Sequence, residues 1–213
     1  MNWFIRTLNS SIGKKQIMAL SGLFFCGFLC VHLIGNLFIY GGRDLFNAYV
    51  SHLHSLEIMI KAAEFGLAGC AIIHVCTAIL LYIQNLNARP EKYVVYRAKG
   101  GRTIASATMP YTGMTILVFV IIHLISFKLT DHTHQTVFDI VTTTLSNASF
   151  FTIYLIGVMV VVFHTYHGVW SACQTLGLNH PKYNPFIIGS RLIYSVILGF
   201  GFGLIPFYII LTT

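Results

Sequence analysis

Apolar and polar positions alternate along this chain in long blocks, not with the short periods of surface helices or strands. Lys15 and Arg43 bound an uncharged stretch, Glu64 and Arg89 a second, and Arg102 and Lys128 a third. A helix crosses the hydrocarbon of a bilayer with about 20 apolar residues. These blocks therefore predict membrane spans near 16–40, 62–86 and 106–129. From Ile140 to Pro181 the chain is uncharged but too long for one straight crossing, which predicts a span near 148–175 with Thr142–Asn147 as its polar entry. A last apolar run from about Ile188 to Ile210 predicts a span near 188–210. The expected fold is all-α, a polytopic membrane bundle of five transmembrane helices forming a single domain over residues 1–213.

Composition narrows the class further. Of 213 residues, 9% are charged and 56% hydrophobic, and the mean hydropathy is +0.75. Soluble domains carry about a quarter charged residues. Disorder, a nucleic-acid-binding arm, an ordinary cytosolic domain and a conventional two-domain enzyme are thereby excluded. The first apolar run is long enough to span and no small-residue cleavage pattern follows it, so it reads as a helix and not as a cleavable signal peptide. There is no short periodic repeat. The five cysteines, Cys26, Cys30, Cys70, Cys76 and Cys173, all fall in apolar stretches without a CxxC or CxxCH motif. They read as small buried hydrophobes and not as zinc ligands or a c-type haem attachment.

The formal charge of +7 bears on topology. Arg6, Lys14, Lys15, Arg89, Lys92, Arg97, Lys99, Arg102, Lys182 and Arg191 fall on one side of the expected bundle, and Arg43, Lys61 and Lys128 on the other. Lys and Arg collect on the cytoplasmic side of membrane proteins. The N-terminus is therefore expected in the cytoplasm and the C-terminus outside. The 89–102 cluster could also bind lipid phosphates or a partner.

Ten histidines change the picture more than the charge does. His52, His54, His132, His134 and His180 fall in loops, whereas His32, His74, His123, His164 and His167 lie inside four different spans. Ionisable side chains in the hydrocarbon are rare and usually functional. One such histidine could be a satisfied core residue; four helices each donating one is hard to attribute to coincidence. At about 1.5 Å per residue, His32 lies about 14 Å from Gly41, and His123 about 10 Å from Thr130. By the same rise, His74 lies roughly 20 Å below Lys61 and His164 roughly 26 Å below Asn147. His32 and His123 thus form a shallow outer pair, His74 and His164 a deeper inner one. Two opposed pairs of neutral imidazoles suit two six-coordinate b-type haems, whose iron has no open position and so carries electrons. Gly22, Gly27, Gly35, Gly69, Gly113, Gly157 and Gly168 would let a flat macrocycle approach the backbone, or simply permit tight helix packing. His167 is one turn from His164 on nearly the same face. Either could ligate iron; the matching intervals of 42 and 41 residues favour His164.

The residues that carry this reading resemble a known family. The first span and following loop, MALSGLFFCGFLCVHLIGNLFIYGGRDLFNAYVSHLHSL, the third span, ASATMPYTGMTILVFVIIHL, and the end of the fourth, FHTYHGVWSACQTLGLNHPKY, are similar to the two-haem, five-helix cytochrome b membrane anchor of the succinate dehydrogenase/fumarate reductase family. The likeness covers nearly the whole chain. It implies two haem b groups, ligated by His32, His74, His123 and His164. It also implies a flavoprotein partner with covalent FAD and an iron–sulfur partner on the cytoplasmic side, because the chain has neither a dinucleotide fingerprint nor an iron–sulfur cysteine array. The 89–102 loop and Gln174–Tyr183 would face the iron–sulfur subunit. In a bacterial cytoplasmic membrane, such a subunit would pass electrons between quinone, here menaquinone, and the iron–sulfur chain, while dicarboxylate chemistry stays in a partner.

A quinone site would lie near the outer haem. The outer loop offers Asn47, Tyr49, His52, His54, Glu57 and Glu64, of which Glu57 and Glu64 are the candidate catalytic proton handlers. Each alone reads equally as a solvated loop or helix-end charge. Lys15 and Arg102 are candidates to pair with haem propionates. None of the six acids, Asp44, Glu57, Glu64, Glu91, Asp131 and Asp139, is deep in a span, so no transmembrane proton wire is evident. Two competing readings are weaker. A proton-coupled transporter would place carboxylates in its spans and use broken, repeat-related helices. A dihaem subunit of another quinol-linked respiratory enzyme, such as nitrate reductase, takes its ligands from two helices with two well-separated histidines each.

Overall fold

The computed structural model describes residues 2–88, 104–131 and 133–212. Every regular element among them is helical: α1 Trp3–Asn9, α2 Ser11–Leu37, α3 Gly42–Ser55, α4 Glu57–Asn87, α5 Ile104–His123, α6 Val137–Ser146, α7 Ala148–Thr175 and α8 Asn184–Thr212. Five of these segments are long and apolar enough to cross a membrane: the one containing α2, then α4, α5 with its continuation to Lys128, α7 and α8. The expected all-α class and the five spans are what the fold shows. The helices overrun the sequence windows because polar end residues can still be helical; α4 begins at Glu57 and α8 at Asn184.

Local chemistry fixes the ends. The Ser10 side chain accepts from Gly13 N at 3.0 Å to start α2, and Asn147 Oδ1 accepts from Ser149 N at 3.0 Å to start α7. Such caps satisfy backbone donors that lack partners in the first turn. Asn147 stands in extended conformation between α6 and α7, which divides the over-long uncharged stretch. Hydroxyls inside the spans turn back on their own helices. Thr108, Thr115, Ser126 and Thr165 each donate to a carbonyl one turn earlier, at 2.8–3.0 Å. In lipid a polar group must find its partner within the protein.

α7 is the hub. It packs most extensively on α8, and also on α5 and α2, while α2 packs in addition on α4. α4 and α5 scarcely touch. One end of the bundle is capped by α3 and α6, which pack on each other; α6 also packs on α7 and α8, and α3 on α4. The principal buried cluster sits there: Ile39, Phe46, Val141, Leu145, Tyr154, Ile205 and Ile209. The interior of the bundle is looser by contrast. α5 has no buried residue at all, and α4 buries only Thr77 and Leu81. A bundle filled by its own side chains would bury a stripe on every helix.

Candidate functional site

Four helices bring four imidazoles to two levels. Near the capped end, His32 of α2 faces His123 of α5 with ring centroids 5.8 Å apart and planes at 89°. Aromatic rings enclose them: Phe28 stacks on His32 at 5.2 Å, Phe202 lies at 5.7 Å, and Phe127 meets His123 at 5.2 Å. Deeper towards the open end, His74 of α4 and His164 of α7 lie within electrostatic reach of each other. All four rings are half-buried.

The deep pair is held through Nδ1. Ser21 Oγ lies 2.9 Å from His74 Nδ1, and Thr112 Oγ1 lies 3.0 Å from His164 Nδ1. Each hydroxyl also lies within reach of a carbonyl of its own helix, Ser21 of Ile17 O at 2.8 Å and Thr112 of Met109 O at 3.1 Å. In the tautomer whose Nδ1–H donates to the hydroxyl oxygen, Nε2 of each ring carries a lone pair that can hold a metal. At the other level Tyr154 OH sits 3.3 Å from His123 Nδ1. Asn36 Nδ2 donates to His32 O at 2.8 Å and holds the start of that ring's turn. Metal-bound histidines are oriented in this way by a partner on the second ring nitrogen.

The two halves of the site repeat. Ser21–Gly22 precedes His32 by eleven residues, and Thr112–Gly113 precedes His123 by the same interval. The His74 ring passes over Gly22, where an added Cβ would meet Cε1 at 3.4 Å, and the His164 ring passes over Gly113 at 3.6 Å. Thus α2–α4 and α5–α7 are two equivalent helix pairs. The equal spacing of the hydroxyl–glycine dipeptides from the shallow histidines is the sequence signal for these positioning residues; the hydroxyl partners themselves become visible only once helices are paired.

The remaining sequence candidates fall in three places. Lys15 is exposed near the start of α2, at the open end; Arg102, with the 89–102 cluster, lies outside the described residues. Glu57 is exposed and pairs with Lys61 on its own helix. Glu64 reaches across to Lys128, at the capped end of α5. Ser126 and Thr130, two positions either side of Lys128, help to line a groove of about 320 Å³ with Gln135, Ile140, Thr144 and Phe150. Lys128 and Glu64 do not line that groove; Glu64 pairs with Lys128 on another helix, whereas Glu57 pairs with Lys61 on its own. Asn47 and Tyr49 are structural: Asn47 Oδ1 accepts from Phe138 N at 3.3 Å and Tyr49 stacks on Phe38 at 4.5 Å. His167 lies within electrostatic reach of Arg191 of α8 and of His164.

The capped end is latched by charge. Asp139 Oδ2 accepts from Thr136 Oγ1 at 2.7 Å and from Arg43 Nη2 at 2.7 Å, and the Thr136–Asp139 pair forms a capping box for α6. The Thr136 hydrogen bond first, and Arg43 after it, holds the Asp139 carboxyl below its ordinary range.

Five helices long and apolar enough to span, with imidazoles paired across four of them, define a polytopic membrane protein. No family model and no solved structure matches the chain. A curated protein does: the chain is 25% identical over 167 residues to the succinate dehydrogenase cytochrome b558 subunit of Bacillus subtilis (strain 168), an alignment covering 77% of this chain and 79% of that one. The chain is thus similar to a succinate dehydrogenase cytochrome b subunit, in line with the resemblance drawn from its sequence.

Proposed function

We propose that this chain is the dihaem membrane anchor of a succinate:quinone oxidoreductase or quinol:fumarate reductase, and that it carries electrons between membrane menaquinone and an iron–sulfur subunit. The observation that carries this reading is the crossed pairing of imidazoles on α2, α4, α5 and α7, with Nδ1 of each deep ring held by a hydroxyl of the neighbouring helix. The residues fit the group. Among the described residues no cluster of three or more His, Cys, Asp or Glu side chains gathers into a cage. Paired imidazoles are what a haem asks for, since the porphyrin supplies four nitrogens of its own. Metal–imidazole bonds of about 2 Å put two opposed ring centroids about 6 Å apart, close to the 5.8 Å between His32 and His123.

When bound, the two haems supply one-electron iron couples at two depths in the membrane. The chain's part is to hold and insulate them. His32 and His123 would ligate the outer iron, His74 and His164 the inner one. Ser21 and Thr112 aim the inner rings, Tyr154 aims His123, and the phenyl rings of Phe28, Phe127 and Phe202 exclude water from the outer pair. Low local polarity and second-shell hydrogen bonds are the protein's means of setting haem potential.

Quinone would bind near the outer pair at the capped end, with Glu64, bridged to Lys128, handling protons; Glu57 remains the alternate candidate. The capped end then faces outside, and the open end, with Lys15 and Gln174–Tyr183, faces the cytoplasm of a bacterial cell. Flavoprotein and iron–sulfur partners would dock at the open end. A reduced-minus-oxidised spectrum of the purified chain tests the core of the proposal: two bis-histidine b haems per chain are expected, and a haem-free chain in its native fold would refute it.

A further inference from the structure

α8 carries a half-buried cation that no carboxylate of the described chain answers. Arg191 lies seven residues into α8, about 10 Å along the helix from Asn184 at 1.5 Å per residue. Its guanidinium is 4.3 Å from the Tyr166 ring centroid and 5.3 Å from that of Trp170, two residues one turn apart on α7. His167, between them in sequence, lies within its electrostatic reach. His167 in turn is one turn from the inner-pair histidine His164 and interacts with it.

Arginine stays charged in proteins, and an unpaired charge inside a membrane protein is costly. Yet every described acid, Asp44, Glu57, Glu64, Asp131 and Asp139, belongs to the capped end of the bundle. Arg191 belongs to the opposite half. Its Nε is buried without a hydrogen-bond partner. The ring faces of Tyr166 and Trp170 attract the cation but accept none of its hydrogens in the plane. Two more buried polar atoms without partners, Asn184 Oδ1 and Ser195 Oγ, occur on the same helix. With 3.6 residues per turn, positions 184, 191 and 195 fall on one stripe of α8. Buried polar groups in native proteins are nearly always satisfied. A stripe of three without partners among the described residues, built around a half-buried cation, has the chemistry to hold an anion.

We propose that Arg191, with Ser195 one turn further on, anchors a propionate carboxylate of the inner haem. This rests on the dihaem reading above and assigns the anchor to α8, where neither Lys15 nor Arg102 lies. The Tyr166–Trp170 clamp presents the guanidinium from the cytoplasmic side of His164 and holds its side chain in one orientation. A phosphate from a lipid headgroup could offer the same anionic chemistry, and the test separates the two.

The full complex carrying Arg191→Gln is compared with wild type by redox titration of each haem in vesicles of neutral phosphatidylcholine. Loss of a cation beside the carboxylate stabilises the ferric state. The expected result is a lower midpoint potential for the haem ligated by His74 and His164, an unmoved outer haem, and return towards wild type in Arg191→Lys. If glutamine abolishes inner haem incorporation, restoration by lysine supports the anchor equally. Two unmoved potentials, haem loss that lysine does not restore, or a shift seen only when anionic phosphatidylglycerol is present would overturn it. A wild-type complex without two haems would sink the dihaem reading itself and so is distinguishable from failure of the anchor.

Discussion

Ser21 on α2 and His74 on α4 are joined by a 2.9 Å hydrogen bond between Oγ and Nδ1, and Thr112 on α5 holds His164 on α7 in the same way at 3.0 Å. On the proposed ligation these hydroxyls would orient the inner-pair imidazoles without touching a metal. Ser21→Ala and Thr112→Val should keep the bundle intact, since each hydroxyl's other bond is to its own helix. Loss of a second-shell partner typically costs 10–100-fold in metal affinity. Haem retention during detergent washing, measured for each haem, should fall by about that factor for the inner haem only.

Ligand replacements should sort by level and not by position in the chain. His32→Ala and His123→Ala are expected to remove the same haem signal, and His74→Ala and His164→Ala the other. His167→Ala should keep both, because His164 lies within electrostatic reach of His74, while His167 lies within reach of Arg191. Low-temperature difference spectra of the five variants give the readout. Loss of a haem from His167→Ala with both retained in His164→Ala would reassign the fourth ligand.

The spans and the imidazole levels were legible in the sequence because hydrophobic block length and helical rise are one-dimensional quantities. Counting from Gly41 and Thr130 put His32 and His123 at similar depth, and they do meet. What the sequence could not show was lateral. Helix α6 was read only as a polar entry at Thr142–Asn147, since ten residues are too few to register as a span; its Val137–Ser146 course depends on the Thr136–Asp139 capping box. The separation of Glu64 from Glu57 depends on which face of α4 looks towards Lys128. Arg191 counted only towards topology, and its lack of an anion appears once α8 is laid on α7.

The latch at the capped end predicts a pH dependence. Asp139 is held below its ordinary carboxylate range by the Thr136 hydroxyl and then by Arg43. A group whose pKa is lowered on folding stabilises the fold fully above its unfolded value, about 4, and loses that contribution as pH falls through the lower folded value. The melting temperature of the purified protein should therefore drop on acidification below about pH 4, and Asp139→Asn should flatten this part of the curve. Thr136→Ala removes an N-cap, which costs about 1 kcal/mol, and should lower the melting temperature at neutral pH as well.

The last prediction concerns the Glu64–Lys128 pair at the capped end, the end that also carries His32 and His123. Quinone chemistry moves two protons with two electrons, so a site needs an ionisable group in contact with water as well as an apolar slot for the ring. The Glu64 side chain is 42% exposed, and Glu64→Gln keeps its size while removing its charge and its proton-accepting capacity. General acid–base groups contribute about 10²–10⁴-fold, so quinol oxidation by the intact complex should fall by about that range. Haem spectra and succinate oxidation with a soluble acceptor should be unchanged. Glu57→Gln should leave all three readouts at wild-type values, because Glu57 is exposed and its ion pair is with Lys61 on its own helix. The reverse pattern, with Glu57 essential and Glu64 dispensable, would move the quinone away from the Glu64–Lys128 pair and towards the start of α4.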